Sequence, residues 1–310
     1  MEGFARSVAR LLLRLGSSLV TITLFAQLSF SQPAGKAKGK TASKTIGNTI
    51  KVSVHKGPKV EISPDDVRAI LREVSRLLRS EYVASHPPSQ TALNMPVFEL
   101  LSSLQKVPSI PRLDPNFLSR VKYPDSAVKA IRKSEKDGAY GEDAVQALLS
   151  ENKHVSYFQL NIVRQIVAYE CPEQVVVAAD QQLATREDHA AGCSAKFTNT
   201  SVIELQFQRE PFGPAYDEWV KREAVLWAHE ICHLLGLHDL RKSLRPLLPP
   251  TRPGIARYLM MGPYNPSAYQ LLPMEGDVIA AYPNNDSQAN VFDQYLKDLT
   301  AGGSKVGPSK

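Results

Sequence analysis

Apolar and polar residues alternate with a period of two in "NTIKVSVHK" (48–56), and the β-branched Thr, Ile and Val within it predict a strand. The period then changes. In "ISPDDVRAILREVSRLLRSEY" (62–82), Val67, Ile70, Leu71, Val74, Leu77 and Leu78 recur at helical spacing. Ser63, Pro64 and the acids Asp65 and Asp66 precede them in the order of an N-cap, a first helical position and a first turn. Residues 84–124 are proline-rich and irregular, with one short helical stretch expected near 97–106. "PDSAVKAIRKSEKDG" and "GEDAVQALLSEN" read as two short helices joined at Gly138–Gly141. Strand character returns at 155–169, 174–179 and 201–207. A long helix is then expected from near Asp217 to Gly236, where glycine supplies a left-handed stop, and a terminal helix from Pro273 to Tyr282.

This succession predicts an α/β (α+β) fold: a twisted mixed sheet packed against the 64–81 helix and the long late helix. A chain of 310 residues is enough for one or two domains with a substantial core, and 43% apolar and 22% charged residues are ordinary for a globular protein. Arg6, Arg10 and Arg14 precede the apolar run 15–30, which is too short for a comfortable membrane span and suits a signal-peptide core. We therefore expect a signal peptide over 1–31, cleavage before Gln32, no stable membrane span after cleavage, and a secreted or periplasmic protein. Lys36, Lys38, Lys40 and Lys44 crowd a Gly/Ala/Ser/Thr stretch, read as a basic flexible linker over 32–45. Much of the net charge of +6 is local to these two segments, so it does not point to nucleic acid as a partner. The remainder divides into a domain over 46–290, containing a helical insertion or pro-segment at about 84–154, and a C-terminal tail over 291–310. In an oxidising compartment Cys171 and Cys193 are a candidate disulfide, leaving Cys232 as a small buried apolar residue.

The candidate chemistry lies in "HEICHLLGLHD" (229–239). His229 and His233 are one helical turn apart, so both imidazoles leave one face and can hold a single Zn2+ ion. Glu230 stands beside that face, placed to take a proton from the water that the ion activates. Gly236 lets the chain turn sharply and return a later residue toward the metal. Rival constellations are weaker. Asp188, His189 and Ser194 lack the glycine pattern of a nucleophile elbow, and "GCSAK" reads as a strand edge. Glu275 is the one nearby candidate for a glutamate ligand donated by a later helix. No phosphate loop, calcium loop or dinucleotide fingerprint is present in the sequence.

With HExxHxxG at 229–236, Leu259-Met260 in "RYLMMGPYN" and the closing helix at 273–282, the chain resembles the metzincin metalloproteases. The resemblance extends more loosely to 49–81 and to 191–207, while 84–154 matches nothing in that plan. It implies a zinc peptidase with Met260 in the turn flooring the site and Glu230 as general base. The substrate would be a peptide or protein held in extended form along the strand near 201–207, and Tyr264 is a candidate oxyanion donor.

The third ligand departs from the common GxxH pattern. Counted in register, Asp239 occupies that position, as in the snapalysin group, whose motif is HExxHxxGxxD. A one-residue deletion would instead bring His238 to the metal. Spacing favours Asp239, because a one-residue shift moves Cα by about 3.8 Å, and zinc accepts carboxylate oxygen and imidazole nitrogen at similar distances. The expected function is that of a secreted zinc endopeptidase. The alternative is a secreted, zinc-stabilised binding or structural protein with little or no proteolytic activity, against which the intact Glu230 argues.

Overall fold

The alternating stretch after Asn48 forms strand β1 (Thr49–Lys56), which buries Ile50, Val52 and Val54. Helix α1 (Pro64–Ser85) follows, and its start is fixed as the sequence predicts. The Ser63 hydroxyl accepts from the Asp66 backbone N–H, while the Asp66 carboxylate accepts from the Ser63 N–H at 2.8 Å, closing a capping box. Asp66 also accepts from Arg209 at 2.8 and 3.1 Å and from the Tyr216 hydroxyl at 3.1 Å. Burial alone would raise its pKa; these bonds outweigh burial and hold the carboxyl below its ordinary value.

A computed structural model describes residues 48–87, 94–107, 125–136, 138–150, 156–167, 191–194, 199–209, 212–261 and 265–303. The expected signal peptide and linker, the strand at 174–179, and Cys171, Asp188, His189 and Tyr264 lie outside them.

The region 84–154 is only partly helical. The short helix expected near 97–106 is replaced by strands β2 (Val97–Leu100) and β3 (Gln105–Lys106), both parallel to β1. Ser75 of α1 accepts from the Phe98 N–H at 3.0 Å, and Phe98 is buried, so tertiary contacts draw this segment onto the sheet. The two expected helices are present as α2 (Asp125–Lys136) and α3 (Glu142–Ser150). Strands β4 (Phe158–Val163), β5 (Gly192–Ser194) and β6 (Thr200–Glu204) complete a sheet of order β2-β1-β4-β6-β5. All pairings are parallel except β5 with β6. Every residue of β4 and β6 is buried, as expected for central strands covered on both faces.

The larger core lies where α1 and the long helix α4 (Gly213–Leu234) pack together on the sheet, through Ile70, Val74, Leu78, Trp227 and Ile231 among others. A smaller core on Val145, Leu148 and Leu149 of α3 gathers Val163, Cys193 and Val202. Beyond α4, the chain passes through a 3-10 turn (Lys242–Leu247) into α5 (Pro273–Ala281) and α6 (Asp286–Gly303). The stretch expected to be a tail from 291 is thus largely helix, and its Phe292 is 1% exposed within the main core. Among the described residues no helix is long and apolar enough to cross a membrane.

Candidate metal centre

Helix α4 ends in a Schellman turn. Gly236 has φ +95°, its N–H donates to the His233 carbonyl at 2.9 Å, and the Leu237 N–H donates to the Cys232 carbonyl at 3.0 Å. This reversal brings the Leu237 carbonyl back to His233, whose Nδ1–H donates to it at 2.9 Å. His229 Nδ1–H donates to the Leu259 carbonyl at 2.8 Å, from the turn that contains Met260. Met260 is fully buried and its carbonyl accepts from the Leu240 N–H at 2.7 Å, tying the turn to the chain just past the motif. Because a carbonyl only accepts, both Nδ1 atoms carry hydrogen and both Nε2 atoms are left facing one point, the second-sphere arrangement that prepares imidazoles for a metal.

Asp239 meets them there. His229 Nε2 and His233 Nε2 are 3.2 Å apart, and Asp239 Oδ1 lies 3.3 Å from the first and 3.6 Å from the second. Tetrahedral zinc with bonds of about 2.0–2.1 Å sets its ligand atoms about 3.3–3.4 Å apart. The three edges match that triangle, and two nitrogens with one carboxylate oxygen are donors zinc accepts, so the residues present fit the ion. His238 points elsewhere: its Nε2 is 3.8 Å from Asp293 Oδ2 on α6.

Burial pulls the His229 pKa down, but hydrogen bonding to Asp239, the charges of Asp239 and Glu230, and the Leu259 carbonyl together push it up to about 9.

Glu230 sits on the next flank of α4, only 3% exposed. Its Oε2 is 2.6 Å from Ser194 Oγ on β5, and its carbonyl is 3.0 Å from the same hydroxyl. A Cβ added at Gly192 would lie 2.5 Å from Glu230 Oε1. Glu275 is not brought to the metal triangle. It is buried at the start of α5, where it accepts from the Leu272 N–H at 2.7 Å, and burial raises its pKa to about 8 against that bond and the nearby His229. Cys232 is a free, buried thiol, its pKa raised by burial, and Cys193 is disulfide-bonded.

Three contributors escaped sequence reasoning. Gly192 and Ser194 both fall in the stretch "GCSAK", whose sequence indicates only a strand edge. Asn285, between α5 and α6, donates to the Leu235 carbonyl at 2.6 Å and so closes the end of α4 from another part of the chain. A Gly-x-Ser on a short strand is a weak signal, because only pairing reveals which face it presents. The expectation that the strand near 201–207 grips substrate is overturned: β6 is paired on both sides, with β4 and β5.

No protein-family model matches the sequence, and no curated protein matches it. Among solved structures, the chain is similar to a zinc-dependent peptidase from Methanocorpusculum labreanum (strain Z), with TM-score 0.33 and 14% identity over 74% of this chain and 99% of that one. It is also similar to archaemetzincin from Methanopyrus kandleri, with TM-score 0.32 and 13% identity over 83% of this chain and 99% of that one. Overlap and identity this low carry no chemistry across, so the reading of the centre stands on its own side chains.

Proposed function

We propose that the chain is an exported zinc-dependent endopeptidase of metzincin type, with His229, His233 and Asp239 holding the ion and Glu230 as general base. The observation that carries this reading is the triangle of donor atoms at 3.2, 3.3 and 3.6 Å with a buried glutamate on the adjoining helical position. Export rests on the sequence of residues 1–31 alone.

When bound, zinc supplies Lewis acidity, polarising a peptide carbonyl and making water easier to deprotonate. Glu230 accepts a proton from the attacking water as the new C–O bond forms, and returns it to the amine nitrogen as the C–N bond breaks. The Nδ1 bonds to Leu259 and Leu237 hold the two imidazoles in place throughout. Strand β5 ends the sheet order and carries the contacts to Glu230, so we place an extended peptide alongside β5 rather than β6.

The test is hydrolysis of casein or a quenched peptide library by the purified protein, with a chelator and with Glu230→Ala as controls. Zinc-dependent cleavage that Glu230→Ala lowers by at least about a hundredfold is expected, since general-base catalysis contributes 10²–10⁴-fold. Equal inertness of the wild type and Glu230→Ala, after any pro-segment is removed, would instead favour a zinc-stabilised binding or structural protein.

A further inference from the structure

Ser194 has more than one acceptor and one proton to give. Its Oγ is 2.6 Å from Glu230 Oε2, 3.0 Å from the Glu230 carbonyl and 2.9 Å from Ser201 Oγ. Ser201 in turn has the Cys193 carbonyl as an acceptor at 3.2 Å. Of the atoms around Ser194, the carboxylate oxygen is both nearest and charged, and 2.6 Å is the length of a charge-assisted O–H···O⁻ bond. The Ser194 proton therefore goes to Glu230.

Residues 192 and 194 share one face of β5 because successive strand side chains alternate. At 192 that face has no side chain, and a Cβ there would stand 2.5, 2.6 and 2.7 Å from Oε1, Cδ and Cγ of Glu230, closer than any packing allows. Cys193, between them, points the other way, buried in the smaller core and disulfide-bonded. The strand is thus anchored from behind, and its front provides a gap at 192 and a donor at 194.

We propose that β5 is a seat for the general base. Ser194 is a positioning residue that holds Oε2 and fixes the carboxylate's orientation, and Gly192 leaves room for the side chain. The inference rests on the peptidase reading above. A glutamate otherwise free to change rotamer loses conformational freedom on ordering; a seat that removes this freedom before substrate arrives favours the reactive arrangement.

The experiment compares steady-state peptide hydrolysis, zinc content and urea denaturation for wild type, Ser194→Ala, Ser194→Thr, Gly192→Ala, Glu230→Ala and the Ser194→Ala/Glu230→Ala double variant. Loss of one bond to a charged group predicts a fall in kcat of about tenfold to a hundredfold for Ser194→Ala. KM and bound zinc stay near wild type, and Ser194→Thr, which keeps the hydroxyl, restores most of the rate. Gly192→Ala falls at least as far. Positions 194 and 230 show coupling in denaturation, and in the Glu230→Ala background Ser194→Ala causes no further loss of rate. Should Gly192→Ala fail to fold, the Ser194 variants still decide the matter. An active wild type with unchanged kcat in Ser194→Ala, a loss that follows zinc, or full additivity with Glu230→Ala overturns the seat alone. A wild type that cleaves nothing removes the peptidase reading and the seat together.

Discussion

A carboxylate at 239 changes the charge of the centre. Two neutral imidazoles with Asp239 carry one more negative charge than three imidazoles, which would leave bound zinc a weaker Lewis acid and its water harder to deprotonate. That makes the orientation of Glu230 matter more, and Ser194 and Gly192 are the residues placed to set it. The neighbouring His238 faces Asp293 instead. Asp239→Ala is therefore expected to lose most of its bound zinc, while His238→Ala keeps close to one ion per chain. Metal analysis of the two purified variants checks this, and zinc loss confined to His238→Ala would reverse the assignment.

Helix α4 presents the two histidines and the glutamate, but its ending is what converts three positions into a centre. The left-handed Gly236 turns the backbone so that the Leu237 carbonyl orients His233 and Asp239 follows two residues on. Asn285 closes this turn from outside by donating to the Leu235 carbonyl. Asn285→Ala leaves that buried carbonyl without its donor, an expected cost of about 1–3 kcal/mol in chemical denaturation. An unchanged denaturation midpoint would show that water or a neighbouring group replaces the amide. Strand β5 is the second element of the centre. Its three residues are too few for period two to be visible in the sequence, so its role follows from antiparallel pairing with β6, as Cys193↔Val202 and its neighbours.

Over the whole molecule, buried acids join the layers. Glu223 of α4 is fully buried and accepts from the Phe207 N–H at 2.9 Å, linking this helix to the chain leaving β6. Burial raises its pKa to about 8, against the Phe207 hydrogen bond. A folded-state pKa above the unfolded value means that this group's contribution to stability is fully present below its ordinary value of 4.5 and is lost as pH rises through about 8. Glu275, also raised to about 8, acts in the same direction. Glu223→Gln should therefore gain stability relative to wild type as pH increases from about 5 to 9. Urea unfolding across that range measures the difference, and parallel stability curves would remove Glu223 as its source.

The sequence by itself determined what depends on near neighbours. The capping box at Ser63 and Asp66, the apolar stripe of α1, the strand periodicity of β1, and the one-turn spacing of His229 and His233 are all local, and backbone geometry alone fixes their sense. Gly236 is legible for the same reason. What tertiary structure decided is what depends on partners distant in the chain. Phe98 entered a strand because Ser75 and β1 accept it there, against a helical reading of 97–106. Residues from 291 became part of a helix because Phe292 finds the main core. Of two adjacent residues at the end of the motif, 239 converges on the imidazoles and 238 turns to Asp293, a choice made by the direction of one turn and by the helix waiting beside it.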